Sequence, residues 1–404
     1  MKQTFTSQEL IRHLKKGELY RNNLEKDDVI QEIDENEQKI IDETFEFDIK
    51  YNQEHYFIEN ISQKLIIRKL NDNIKRIYKD EQANRKFIIH QVKTLLSEDA
   101  PFWVIKADIK SFYESIDRER IFRKLKNDAM LSYYSIFILQ KIFEYPSISN
   151  ETGLPRGINI SSTLSEIYMR KFDNWVQRSQ DVYYYARFVD DIIIFLSNKE
   201  SAYNLFETLN ENLAEICSLE INTIKTELIE GETFKALKST RNRTATKSKV
   251  EYLGYQFYID PTSTKKNKKV GISIADKKVK KIKTRLVKSY IDFTKNGDFA
   301  LLTKRMKFLT GNYGISKSSD ESILKAGIFY NYTHLNNLQI LDALNTFHRK
   351  ILFSKNGSFG TKLNAALTAH HKTALKKYCF RAGHTKKTFN SFSYVEMGQI
   401  IKCW

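Results

Sequence analysis

Three aspartates stand at the ends of apolar runs. Asp108 closes the run Phe102-Trp103-Val104-Ile105-Lys106-Ala107. Asp190 and Asp191 sit in Phe188-Val189-Asp190-Asp191, between Tyr183-Tyr184-Tyr185-Ala186-Arg187-Phe188 and Ile192-Ile193-Ile194-Phe195-Leu196. The flanking runs have strand composition, so the pair is expected at a hairpin tip, with Asp108 at the end of a facing strand. Adjacent carboxylates in a tight turn repel one another, and a bound cation relieves that repulsion. Magnesium takes hard oxygen ligands and uses few carboxylates. Phosphoryl transfer from a nucleoside triphosphate uses two such ions ~3.5–4 Å apart, clamping the attacking and leaving oxygens. An Asp-Asp pair in a turn is by itself an ordinary structural feature. The apolar strands around it, and its companions along the chain, give it chemical meaning.

Those companions come in a definite order. DIKSFYESID spans 108–117, GLPRGINISS 153–162, FVDD 188–191, INTIKTEL 221–228 and EYLGYQF 251–257. In order and spacing these segments resemble palm motifs A to E of reverse transcriptases, over roughly residues 61–260. In detail they look most like bacterial enzymes, above all the defence-associated and abortive-infection groups. The resemblance implies a metal-binding triad of Asp108, Asp190 and Asp191, with the Ile109 carbonyl as an extra ligand. It makes Tyr113 an aromatic gate whose ring leaves no room for a 2′-hydroxyl, favouring dNTPs. Arg156 stands where many relatives carry Gln, a departure that leaves its contact open between template phosphate and incoming nucleotide. Gly157 would allow close backbone approach to base and sugar. Ser161 and Ser162 would cap the next helix or touch the template. Lys225 falls where a lysine neutralises or protonates the pyrophosphate leaving group. Leu253 and Gly254 would form the primer grip. Phe188 replaces the tyrosine of many relatives and removes a hydroxyl near the primer.

Upstream, Lys69, Arg76 and Arg85 match positions where the family places cations on the triphosphate, which basic side chains suit well. Seven cations crowd residues 68–86, so the choice among them is open.

Around these motifs the chain reads as an α/β (α+β) protein. The expected architecture is a right-hand polymerase, with a fingers–palm core and a C-terminal α-helical basic thumb. Residues 1–60 read as an N-terminal extension without visible chemistry, 61–260 as fingers and palm, and 261–404 as the thumb. A polar, basic insertion at 238–249 reads as a loop. The boundary near 261 follows from charge. Residues 261–404 hold 28 Lys and Arg against 7 Asp and Glu, whereas residues 1–260 hold 38 against 42. A basic excess confined to one region is the footprint of a polyanion, and nucleic acid is the usual one. Within it, Val279, Ile282, Leu286 and Tyr290 recur at helical spacing, and Lys277, Lys278, Lys280, Lys281, Lys283, Arg285 and Lys288 cover the remaining faces. Such a helix could lie along a phosphate backbone.

Other classes are excluded or disfavoured. Cys217, Cys379 and Cys403 form no CxxC pair, so neither a zinc knuckle nor a disulfide framework is expected, which fits a reducing cytoplasm; the resemblance implies a bacterial one. No apolar run approaches the ~20 residues of a membrane span, and MKQTFTSQEL does not read as a signal peptide. The expected reaction is RNA-directed DNA synthesis with Mg2+, or Mn2+ in its place. Its expected partners are dNTPs, an RNA template (a dedicated noncoding RNA in antiviral defence), a DNA product, and a partner protein or second copy. A template-independent or protein-primed DNA polymerase on the same fold, an RNA-making polymerase and a maturase-like RNA-binding protein are the competing readings.

Overall fold

The computed structural model describes residues 2–15, 17–22, 24–79, 82–149, 152–235, 249–260, 263, 269–315 and 324–404. The basic insertion lies outside the described residues except for Lys249. The chain divides into two compact units: Met1–Ile88 with Ala100–Gly231, and Ile89–Asp99 with Glu232–Trp404. The division near 231 thus precedes the change of composition near 261. The reason is packing. The strands after residue 248 form a sheet among themselves and with the strand that follows 269, so they do not join the first unit's sheet.

Residues 1–60 form no separate body. Phe5, Leu10, Val29, Ile33, Ile40, Phe45, Phe47 and Ile49 bury in the same core as Leu65, Leu70, Ile138 and Leu164. Their charged neighbours dominate the composition, but the apolar minority recurs so that one face turns inward. In the Lys26–Ile41 helix the buried positions are Val29, Ile33, Asn36 and Ile40, at helical spacing.

The Ile61–Tyr78 helix starts where Asn60 accepts a hydrogen bond from the Gln63 backbone N–H, and stops at Lys79, whose φ of 53° is left-handed. Ahead of it, β1 (Lys50–Tyr51) and β2 (Tyr56–Phe57) form a short antiparallel hairpin. The central sheet of the first unit comprises β3 (Trp103–Asp108), β4 (Val182–Phe188), β5 (Asp191–Leu196) and β6 (Glu227–Glu230), all antiparallel in the order β4-β5-β3-β6. Ile192 to Leu196 are all fully buried, so this run shows no alternation: both faces of β5 are covered. Each such side chain contributes ~1.5–3 kcal/mol by leaving water, which makes the hairpin a rigid platform. Helices Ile160–Arg178 and Lys199–Cys217 pack on this sheet.

The second unit holds the antiparallel sheet β7 (Lys249–Tyr252), β8 (Tyr255–Ile259) and β9 (Val270–Ile274). Helix Asp276–Asn296 follows, burying Val279, Leu286, Tyr290 and Phe293 and ending at Gly297, φ 68°. The region after 261 is mostly helical, as expected, and it also holds short strands. β9 lies inside it, as does a three-stranded sheet of β10 (Asn312–Ile315), β11 (Leu324–Gly327) and β12 (Phe389–Asn390). These strands are too short for an alternating pattern to register. The sheet is pinned by the fully buried Asn312, whose amide donates to the carbonyls of Gly383 (3.0 Å) and Thr388 (3.1 Å) while its oxygen accepts from the Phe329 N–H (2.8 Å). Among the described residues, no helix is long and apolar enough to cross a membrane.

Candidate active site

Asp108 is the last residue of β3 and Asp191 the first of β5, and the sheet register sets them directly opposite one another. Asp190 precedes Asp191 in the two-residue loop Val189-Asp190 that joins β4 to β5. Val189 has φ 62°. A positive φ at the first loop position is what a II′-type hairpin demands, and glycine usually supplies it. A β-branched residue there stores of order 1–3 kcal/mol of strain. Two contacts hold the loop. The Ile109 N–H donates to the Asp190 carbonyl (3.0 Å), and Arg187 Nη1 donates to the Val189 carbonyl (3.0 Å).

Burial of this carboxylate group has an electrostatic cost. Desolvation, with the neighbouring charges of Asp190 and Asp108, pushes the Asp191 carboxyl up to about 6. Desolvation and Asp108 raise Asp190 as well. Lys225 Nζ lies 2.8 Å from both Asp108 oxygens, and this hydrogen bond raises the lysine's own pKa. Three hard oxygen donors whose charges disfavour one another are the chemistry a divalent cation satisfies, so the residues present fit such an ion. Among the described residues, no three acidic, His or Cys side chains already converge on one ion position.

Beside the carboxylates opens a cleft of about 470 Å3, lined by Tyr113, Arg156, Gly157, Ser161, Val189 and Asp190 among others. Tyr113 is half-buried on the short helix Phe112–Ser115, packed edge-on against Phe112 and hydrogen-bonded to Ser165. Its carbonyl accepts from the Leu154 N–H at 2.7 Å. Arg156 lies over the Tyr113 ring, 5.9 Å from its centroid, and pairs with Glu114 at 2.5 Å. Gly157 has φ 100°, and a Cβ there would meet the Tyr56 carbonyl oxygen at 2.2 Å. Its close approach is therefore to the β1–β2 hairpin of its own chain. Ser161 donates to the Pro155 carbonyl (2.6 Å) and Ser162 to that of Asn159 (3.0 Å), so neither caps the helix N–H groups.

The structure does not bring the expected fingers cations to this cleft. Lys69 is only 2% exposed; its Nζ donates to the Lys2 carbonyl (3.0 Å) and pairs with Glu9 (3.4 Å). Arg76 projects to the surface and pairs with Asp72 one turn earlier. Arg85 opens the Arg85–Ser97 helix and is not among the cleft's lining residues. Leu253 (φ 47°) and Gly254 (φ 80°) form the tight turn between β7 and β8 in the second unit, both left-handed as a I′-type hairpin requires.

Two residues were not singled out by the motifs. His55, at the tip of the β1–β2 hairpin, lines the cleft because the Tyr56 N–H donates to the Arg156 carbonyl (2.7 Å). Nothing local signals that contact. Arg187 is 6% exposed and binds Asp173 through two nitrogens (2.9 and 2.7 Å) and Glu166 through two (2.6 and 3.4 Å). A signal existed here: an arginine inside an apolar strand, and two acids seven residues apart on one helix face.

An antiparallel sheet that presents one carboxylate from a strand end and two from the adjoining hairpin, beside a cleft, has the right-hand polymerase fold. Residues 58–257 match the family model described as reverse transcriptase (RNA-dependent DNA polymerase). This part of the chain is a reverse transcriptase domain. Among solved structures, apo telomerase from Candida tropicalis, truncated from its C-terminal domain, aligns with TM-score 0.37 and 13% identity over 64% of this chain and 50% of that one. Telomerase from Candida albicans with a TWJ fragment of telomeric RNA aligns with TM-score 0.35 and 14% identity over 74% of this chain and 52% of that one. The chain thus spans about half the length of both telomerase chains. No curated protein sequence matches it.

Proposed function

We propose that the chain is an RNA-directed DNA polymerase that extends a 3′-hydroxyl with dNTPs. The observation that carries this reading is the register of Asp108 against Asp191 with Asp190 on the adjoining loop, beside the cleft that Tyr113 lines. Asp108, Asp190 and Asp191 would hold divalent ions, Mg2+ or Mn2+, with the Ile109 carbonyl as a further ligand. When bound, such ions activate the attacking hydroxyl and neutralise the leaving group. The chain's own residues do the rest. The Tyr113 ring, stiffened by Phe112 and Ser165, bounds the sugar and selects against a 2′-hydroxyl. Arg156 and His55 place positive or hydrogen-bonding groups along the cleft wall. Lys225 supplies a charge or a proton to the departing pyrophosphate. The Leu253–Gly254 turn grips the primer end, and the exposed lysines of the Asp276–Asn296 helix track the phosphate backbone as a thumb does.

On the resemblance of its motifs, we further propose a bacterial, cytoplasmic enzyme of antiviral defence that copies a dedicated noncoding RNA, with a partner protein or a second copy. The test of polymerase activity is primer extension on an RNA template. Asp190→Ala combined with Asp191→Ala should abolish dNTP incorporation, and surviving incorporation refutes the reading. Sequencing the nucleic acid that copurifies with the protein, and the DNA it makes, tests the finer proposal. Random cellular RNA in place of one recurrent species would sink it.

A further inference from the structure

Lys225 is joined to Asp108 more closely than a surface lysine needs to be. Its Nζ lies 2.8 Å from each carboxylate oxygen, straddling the face a cation would use. The carboxylate is nearly buried, whereas the lysine side chain is half exposed. The lysine rides on the turn Asn222–Lys225, closed by the Lys225 N–H on the Asn222 carbonyl (3.0 Å). That turn is fastened to the strand end itself: the Asn222 N–H donates to the Asp108 carbonyl at 2.7 Å. Ile224 beside it is 96% exposed, so no packing holds the turn's outer side. The backbone thus keeps Lys225 within reach of Asp108, while the four-carbon arm remains free to leave. An ammonium and a dication cannot share one carboxylate without strong repulsion.

We infer that Lys225 is a built-in competitor for divalent cations at Asp108, occupying the metal's place until displaced and then freed to meet phosphate. The inference rests on reading Asp108 as a metal ligand. Lys225 holds the Asp108 carboxylate in place before metal arrives. Metal entry and delivery of the lysine to the cleft become a single exchange. Metal affinity of the free protein is lowered in return.

Mn2+ binding to the full-length protein, followed by the electron paramagnetic resonance signal of free Mn2+, tests this without requiring turnover. Lys225→Met keeps the arm and removes the charge; it should tighten Mn2+ binding about tenfold, equivalent to ~1.4 kcal/mol. Lys225→Arg should bind like the parent. Asp108→Asn should weaken binding and erase the difference between the parent and the Lys225→Met variant. Equal or weaker binding by Lys225→Met, with Asp108→Asn still weakening it, overturns the competition alone and leaves the metal site standing. If Asp108→Asn changes nothing in either background, Asp108 is no ligand and both readings fall.

Discussion

Arg187 donates to the Val189 carbonyl across 3.0 Å, and so ties the strained residue of the carboxylate loop to the partly buried acids Glu166 and Asp173. The guanidinium satisfies two carboxylates and one backbone carbonyl from a single planar group, and the pairing raises its pKa well above the usual value despite burial. Arg187→Met would leave both partly buried acids without their cation. We expect a loss of roughly 3–5 kcal/mol in chemical denaturation. Arg187→Lys should fall between, because an ammonium cannot make the two-nitrogen contact to Asp173. Parent-like stability of Arg187→Met would refute this account of the loop.

Tyr113 shares the cleft with Asp190 and is braced on two sides. Tyr113→Ala opens space where a sugar 2′-position would lie. The ratio of kcat/KM for dNTP over rNTP should fall by about 10–100-fold, the range that steric pocket discrimination gives. A ratio unchanged from the parent removes Tyr113 from the gate.

Gly157→Ala meets two obstacles at once, a φ of 100° and the Tyr56 carbonyl 2.2 Å from the new Cβ. The hairpin that carries His55 must move away or the backbone must rearrange. Thermal unfolding should report a loss of about 2 kcal/mol or more. A neutral effect would mean that the β1–β2 hairpin does not rest on Gly157.

His348 is a pH-sensitive support of the second unit. It is 1% exposed, and its Nε2 lies 2.7 Å from the Tyr290 hydroxyl. Burial lowers its pKa from 6.5 to about 4, so the folded state keeps it neutral where the unfolded chain would be protonated. The stability it confers is complete above pH 6.5 and fades as pH falls toward 4, by about 3 kcal/mol in total. His348→Gln should flatten that part of the stability-versus-pH curve. An identical pH dependence in the variant would exclude His348 as its source.

The carboxylate hairpin is readable from sequence because β5 continues as an unbroken apolar run, β4 is apolar and aromatic but for Arg187, and an apolar strand also leads to Asp108. The tight turn at Leu253–Gly254 was readable for the same local reason. Lys69 was not. Its charge suggests a phosphate contact, yet it follows Leu65 by four residues and Ile66 by three, on the helix face that turns inward. Its partners, Glu9 and the Lys2 carbonyl, lie 60 and 67 residues away in sequence, and no local pattern announces them. His55 escaped for a similar reason, since a two-residue strand carries no periodicity. The division near 231 was hidden because composition tracks charge, whereas compactness follows strand pairing.

The burial of residues 1–60 bears on how this protein can be divided. The matched family domain begins at residue 58, but the core it shares runs through Phe5, Leu10, Val29, Ile33 and Phe45. A fragment trimmed to the family boundary would bare that apolar surface. It would also strand Lys69 and Arg68 without the Glu9, Lys2 and Glu18 groups that now meet them. The first sixty residues are therefore not a separable module of the fold. They fold as part of the core that carries the carboxylate sheet, so a cut meant to preserve that core must fall elsewhere.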